Sequence, residues 1–261
     1  MVYGCHPKDT PRGVRSQQTA RICDFGGFCY HRVMSVAENV KELTEEIAEA
    51  CIRAGRESDE VTLMAVTKNH SADAVREAYD AGIRCFGENR VQEASEKYGD
   101  RPEDLDLQLV GHLQRNKAKQ ACELFSTVQS IDRVETAAAL EKHCTNEGRT
   151  MRVLLEVNTS GEESKYGVTG ADALLSLLDG ILELETIEPV GLMTIAPFTS
   201  EEQAIRRSFR ELKRLFSMVG TNYPDVDFTV LSMGMTNDYR IAVEEGSTMV
   251  RIGTAIFGER Q

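Results

Sequence analysis

VTLMAVTKNHSADAVREAYDAGIRCFGEN, residues 61–89, holds one complete strand–helix–strand unit, and the repetition of that unit decides the fold. Val61, Leu63, Met64, Ala65 and Val66 form a short apolar run that reads as a buried strand. A helix is predicted from about Ala72 to Gly82, and a second strand at 84–87. Strands separated by a helix of this length pair in parallel through right-handed crossovers. The alternation continues, with strands predicted at 107–110, 126–130, 151–158, 187–195, 227–232 and 248–253. Helices fall around 91–98, 117–125, 134–146, 171–181, 201–219 and 238–245, and a final turn or helix follows the last strand. Eight such units predict an α/β domain, a single closed (β/α)8 TIM-type barrel. An open doubly wound sheet is the alternative, but no G-x-G-x-x-G follows the first strand.

Working outward, Met34 opens the folded domain, expected over 34–261. Ser35 and Glu38 make a capping box, and Val36, Val40, Leu43, Ile47 and Cys51 recur at helical spacing, so an extra N-terminal helix precedes the barrel. Residues 1–33 have no such period. Five basic residues there face only Asp9 and Asp24, which makes the segment +3 and leaves −15 on the rest of a chain whose net charge is −12. The leader reads as a disordered tail, as translated sequence upstream of a start at Met34, or as a basic targeting peptide. Its lack of an amphipathic period favours the first two.

With 41% hydrophobic and 28% charged residues among 261, the composition suits a soluble globular protein. The negative charge argues against a nucleic-acid surface. No apolar run approaches the roughly 20 residues of a membrane span, and the expected location is cytoplasmic. The seven cysteines, Cys5, Cys23, Cys29, Cys51, Cys85, Cys122 and Cys144, are odd in number and form no C-x-x-C pair. They read as reduced thiols, and no metal site is expected.

The C-terminal strand ends of a β/α barrel share the face that carries the site. Here those ends hold Lys68, Glu88, Asn89, His112, Asp132, Asn158, Met193, Ser232, Met233, Arg251, Gly253 and Thr254. Lys68 has two readings. It snorkels to water, or it is a Schiff-base amine whose pKa is depressed by partial burial beside a cation, with Arg251 on the closing strand as that cation. The last two strand ends read LSMGMTND (231–238) and RIGTAIFG (251–258). Loops after strands seven and eight often hold a phosphate. Ser232 and Thr254 supply hydroxyls, Gly234 and Gly253 admit backbone N–H groups, and Thr254 can open a short helix. The other reading is ordinary turn chemistry. A Schiff-base lysine and a phosphate cup in one barrel mouth suggest pyridoxal 5′-phosphate (PLP). Arg251 would then reach the pyridine nitrogen; a guanidinium only donates hydrogen bonds, so that nitrogen would stay unprotonated and the ring a weak electron sink. Otherwise Arg251 forms a surface ion pair, with Glu259 as partner.

The residues reached so far resemble a known family, the pyridoxal phosphate homeostasis proteins of the YggS/PROSC type. The matching blocks are LMAVTK ending at Lys68, FGENRVQE (86–93), GHLQRNK (111–117), VQSID (128–132), VNTSGEESKYG (157–167), GLMTI (191–195), LSMGM (231–235) and, most specific, EEGSTMVRIGTAIFGER (244–260). They run from about residue 34 to the end. The resemblance implies the barrel of the alanine racemase N-terminal domain, PLP fold type III. It implies Lys68 as the lysine linked to PLP, Asn89 beside the cofactor, and Ser232, Gly253 and Thr254 as phosphate ligands, with Met233 and Gly234 in the same loop. It makes Arg251 the partner of the pyridine nitrogen, and His112 and Met193 lining residues. Departures from the family pattern are NHS after Lys68, Arg90 for a tyrosine, Leu107 and Gln108 for a Trp-His pair, and Asn237 for an aspartate.

The function implied is a PLP carrier and regulator in vitamin B6 homeostasis, with PLP-dependent apoenzymes as recipients and no firmly assigned reaction. A two-base racemase of this fold draws a tyrosine from a second domain across a dimer, and no such domain is expected after the last strand. The alternatives are an amino-acid racemase of weak activity and a cofactor-free Schiff-base aldolase. A protein-binding module with a vestigial pocket is a third class, against which the intact phosphate cup argues. His112 reads as a hydrogen-bonded wall residue or as a general acid–base group, and the 161–167 loop as a solvated turn or a lid.

Overall fold

The computed structural model describes residues 34–258, so the leader at 1–33, with Cys5, Cys23 and Cys29, and the expected partner Glu259 lie outside the described residues. An N-terminal helix, α1 (Val36–Arg53), precedes the barrel strands β1 (Thr62–Val66), β2 (Cys85–Glu88), β3 (Asp106–Leu109), β4 (Thr127–Ile131), β5 (Met151–Glu156), β6 (Ile187–Met193), β7 (Val230–Ser232) and β8 (Met249–Ile252). Between them run α2 (Ala72–Asp80), α3 (Val91–Lys97), α4 (Ala118–Leu124), α5 (Val134–Glu147), α6 (Gly170–Leu182), α7 (Glu202–Asn222) and α8 (Tyr239–Glu244), and α9 (Thr254–Phe257) follows β8. All neighbours are parallel, and β1 pairs with β8 from Thr62↔Met249 to Ala65↔Ile252, closing the expected eight-stranded barrel.

The side-chain alternation of each strand makes two cores. Ala65, Phe86, Leu107, Val128, Val153 and Leu192 face the helices in one large buried cluster. Met64, Val66, Cys85 and Met249 fill one side of the lumen, and Leu154, Val190 and Met193 the other. Helix α9 is a single turn, too short to cover its sector of the ring. Helix α1 takes that place, packing on α2, α8 and α9 through a face of Val40, Leu43, Ile47, Ala50 and Cys51. Asn39 Nδ2 donates to Ile256 O at 2.8 Å. The extra helix is a stave of the barrel wall.

The strand expected at 227–232 begins only at Val230. Phe228 turns its N–H to Val226 O and packs its ring on Phe216, centroids 5.6 Å apart, which takes its backbone out of the ladder. At the other strand ends one glycine sets a close approach. A Cβ on Gly111 would lie 2.2 Å from Asn89 O, so only glycine lets the β3 end pass the backbone of Asn89. The four described cysteines, Cys51, Cys85, Cys122 and Cys144, are free buried thiols. Among the described residues no His, Cys, Asp and Glu cluster holds a metal-binding arrangement, and no helix is long and apolar enough to cross a membrane.

Candidate cofactor site

A cleft of about 1250 Å³ opens at the C-terminal ends of the strands. Lys68, Asn89, Met193, Arg251, Gly253 and Thr254 all line it, brought there from β1, β2, β6 and β8. Four other expected residues, His112, Ser232, Met233 and Gly234, are not among its lining.

Lys68 owes its direction to a tight turn. His70 N–H donates to Thr67 O at 3.0 Å, which places Lys68 and Asn69 at the turn centre. Asn69 has φ +63°, the only positive value among the described non-glycine residues. A positive φ at the third position marks a type II turn, and asparagine tolerates it better than other side chains. The chain therefore folds back directly after Lys68, and the half-buried lysine sits at the crest.

Arg251 follows from strand alternation. It shares the inward face of β8 with Met249 and is buried in the lumen just below the mouth. Its Nη1 donates to Ser232 Oγ at 2.7 Å and its Nη2 to Thr194 O at 2.8 Å. Burial pulls its pKa down to about 10, while Asp238 and Glu156 push it back up, so the guanidinium stays charged at neutral pH. Arg251 is buried rather than at the surface, and Glu259, the partner considered above, lies outside the described residues.

Ser232, expected as a phosphate ligand, meets other side chains in the structure. The side chain is fully buried, its hydrogen goes to Gln129 Oε1 at 2.7 Å, and its oxygen receives Arg251. No hydrogen remains for an anion, so Ser232 supports the arginine. The chain continues downward: Gln129 Nε2 donates to Gln108 Oε1 at 2.7 Å and Gln108 Nε2 to Asp106 Oδ2 at 2.6 Å. Met233, expected in the same loop, points outward as the residue after an inward one, and its side chain is buried among the helices. Gly234 adopts φ +99° and gives its carbonyl to Arg251 N–H, so it shapes the loop from behind. His112 stacks on Tyr166, centroids 4.2 Å apart and 14° between planes, and its Nδ1 is buried without a hydrogen-bond partner.

Beside Arg251, Glu156 ends β5 with its carboxyl buried. Burial, reinforced by Asp132 and opposed by Arg251, pushes its pKa up to about 7. An unfolded glutamate titrates near 4.3, so between those values the unfolded chain has released a proton that the folded chain still holds. The carboxyl's contribution to stability is complete at acid pH and is lost as pH rises through about 7. Glu156→Gln removes that loss. The variant is expected to melt about 5 °C above the parent at pH 8 and within about 2 °C of it at pH 5, read by calorimetry on protein without cofactor. An equal difference at both pH values would show that Glu156 ionises normally.

Three loops complete the lining of the cleft. Lys165 crosses from the 161–167 loop to donate to Ala196 O at 2.8 Å and lines the cleft. Residues 195–200 of the loop after β6 line it as well, with Phe198 nearly fully exposed. Residues 235–238 also line it, pinned by Met235 N–H donating to Asp238 Oδ1 at 2.6 Å. In sequence 161–167 reads as a solvated turn or a lid and 231–238 as a candidate phosphate loop, while 196–200 carries no reading, and only the closure of the barrel brings the three together.

The sequence profile of the family described as "Alanine racemase, N-terminal domain" matches residues 37–261. The chain is similar to the pyridoxal phosphate homeostasis protein of Aquifex aeolicus, 39% identical over 230 residues that cover 87% of this chain and 100% of that one. It is similar to the protein of the same name from Escherichia coli, 39% identical over 229 residues, 86% of this chain and 97% of that one. Among solved structures it is similar to PipY of Synechococcus elongatus with PLP bound, with a TM-score of 0.75 and 35% identity over 86% of this chain and 100% of that one.

Proposed function

The chain belongs to the alanine racemase N-terminal-domain family and, within it, to the pyridoxal phosphate homeostasis proteins, and from that premise we propose that it holds PLP at Lys68 and serves intracellular PLP homeostasis. The observation that carries the reading is the pairing of Lys68 with a buried, charged Arg251 in one cleft, with Gly253 and Thr254 alongside. That donor set fits the cofactor: an amine, a cation that only donates, and the open first turn of a helix.

When bound, PLP supplies an aldehyde that condenses reversibly with an amine, releasing water. Lys68 provides that amine from the crest of its turn. Thr254, with the backbone N–H groups that lack intrahelical partners in the first turn of α9, grips the phosphate. Arg251, held by Ser232 and Thr194, orients the ring and keeps its nitrogen without a proton, which suits a holder better than a carbanion catalyst. Asn89 and Met193 flank the ring. PLP-dependent apoenzymes are the recipients, and the net negative charge and free buried thiols support a cytoplasmic setting without nucleic acid.

Two measurements test this. The full chain, mixed with PLP, reduced with borohydride and digested, is expected to carry one pyridoxyl group on the Lys68 peptide. Label on another lysine, or none, overturns the site. Loaded protein is then mixed with an apoenzyme, and activation faster than that from an equal amount of free PLP is expected of a carrier.

A further inference from the structure

The turn that carries Lys68 is tied down from both sides by one ion pair on α3. Lys97 Nζ donates to Thr67 O at 2.6 Å, to Glu93 Oε1 at 2.6 Å and to Glu88 Oε1 at 2.9 Å. An ammonium has three hydrogens, and these three acceptors use them all. Glu93 Oε1 in turn accepts the N–H of Asn69, so the carbonyl before Lys68 and the amide after it end on the same charged pair. Thr67 is fixed further: its N–H donates to Gly87 O at 3.0 Å, and its hydroxyl lies 2.6 Å from both Glu88 Oε1 and Tyr98 OH. Asn69 is held in the left-handed region, where an isolated chain would relax.

The geometry points to Glu93 and Lys97 as positioning residues for Lys68, which hold its backbone so that its amine faces the cofactor aldehyde. This rests on the reading that Lys68 takes PLP. Neither residue lines the cleft, so both act through the turn. Thr67 and Glu88 are fully buried, and Lys97 is the only cation among the described residues that pairs with Glu88. Removing Lys97 strands the Glu88 carboxylate and risks the fold. The Glu93 side chain is 19% exposed, and its loss cuts the Asn69 tie while Lys97 keeps Glu88.

The test uses the full chain without cofactor, mixed rapidly with PLP, and follows the borohydride-sensitive band near about 420 nm. Glu93→Ala is expected to form the band roughly 10-fold more slowly, because small misplacements of a reacting group carry large rate penalties. Glu93→Gln keeps an acceptor oxygen for both Asn69 N–H and Lys97, and is expected within about 3-fold of the parent. The three proteins should melt within about 3 °C of one another, so that the rate reports position. Band formation by Glu93→Ala at the parent rate overturns the proposal, as does Glu93→Gln reacting as slowly as Glu93→Ala. A parent protein that forms no band overturns the cofactor reading itself, and the clamp with it.

Discussion

Lys68→Ala is expected to abolish the absorption band near about 420 nm and to leave nothing for borohydride to trap. The amine of residue 68 is the only part of the proposed site that forms a bond to the cofactor, and Lys165, the other lysine of the cleft, is committed to Ala196 O and Glu162. The remaining grip is non-covalent. PLP affinity should fall at least about 100-fold, or about 2.7 kcal/mol, measured by equilibrium dialysis. Binding within about 3-fold of the parent would show that the phosphate and ring contacts hold PLP without the lysine. A surviving band would move the covalent link to another residue.

Arg251→Leu should be the most destabilising single change at the site. The leucine fits an apolar lumen but leaves the Ser232 oxygen and the Thr194 carbonyl short of a donor, and the Glu156 and Asp238 carboxyls without their buried counter-charge. Breaking a buried charged group away from its partners costs about 3–5 kcal/mol. For a barrel of this size that lowers the melting temperature by roughly 10 °C, measured by calorimetry without PLP. Arg251→Lys keeps the charge and one bond and should fall between. A melting temperature for Arg251→Leu within about 2 °C of the parent would mean that the guanidinium is not what orders the lumen.

The barrel was legible because its strands are short apolar runs at even spacing, and each helix after them announces itself by period. Strand alternation also turns Arg251 to the lumen, since counting by twos along β8 needs no third dimension, whereas the direction of Lys68 is set by the turn after β1. What failed to show was anything set by contact across the barrel. Ser232 looked like a phosphate ligand because serine after a strand usually meets solvent, and nothing local reveals that Gln129, 103 residues earlier, takes its hydrogen. Lys97 stands four residues after Glu93, so a helical ion pair could be read from spacing, yet its reach to Thr67 depends on how α3 lies over β1. The late start of β7 has the same origin, in the packing of Phe228 on Phe216.

The line of hydrogen bonds down the lumen draws on strands from both halves of the chain: β3 and β4 on one side, β7 and β8 on the other. The link that joins the two halves, Ser232 Oγ to Gln129 Oε1, cannot form in a half-barrel, where the amides of Gln108 and Gln129 would sit at a wet open edge. Their reward arrives only when β8 meets β1, after the largest loop entropy has been spent. Arg251 meets Ser232 and Thr194 within the C-terminal half alone, so closure does not seat the arginine; it joins an arginine already held there to the amides of the other half.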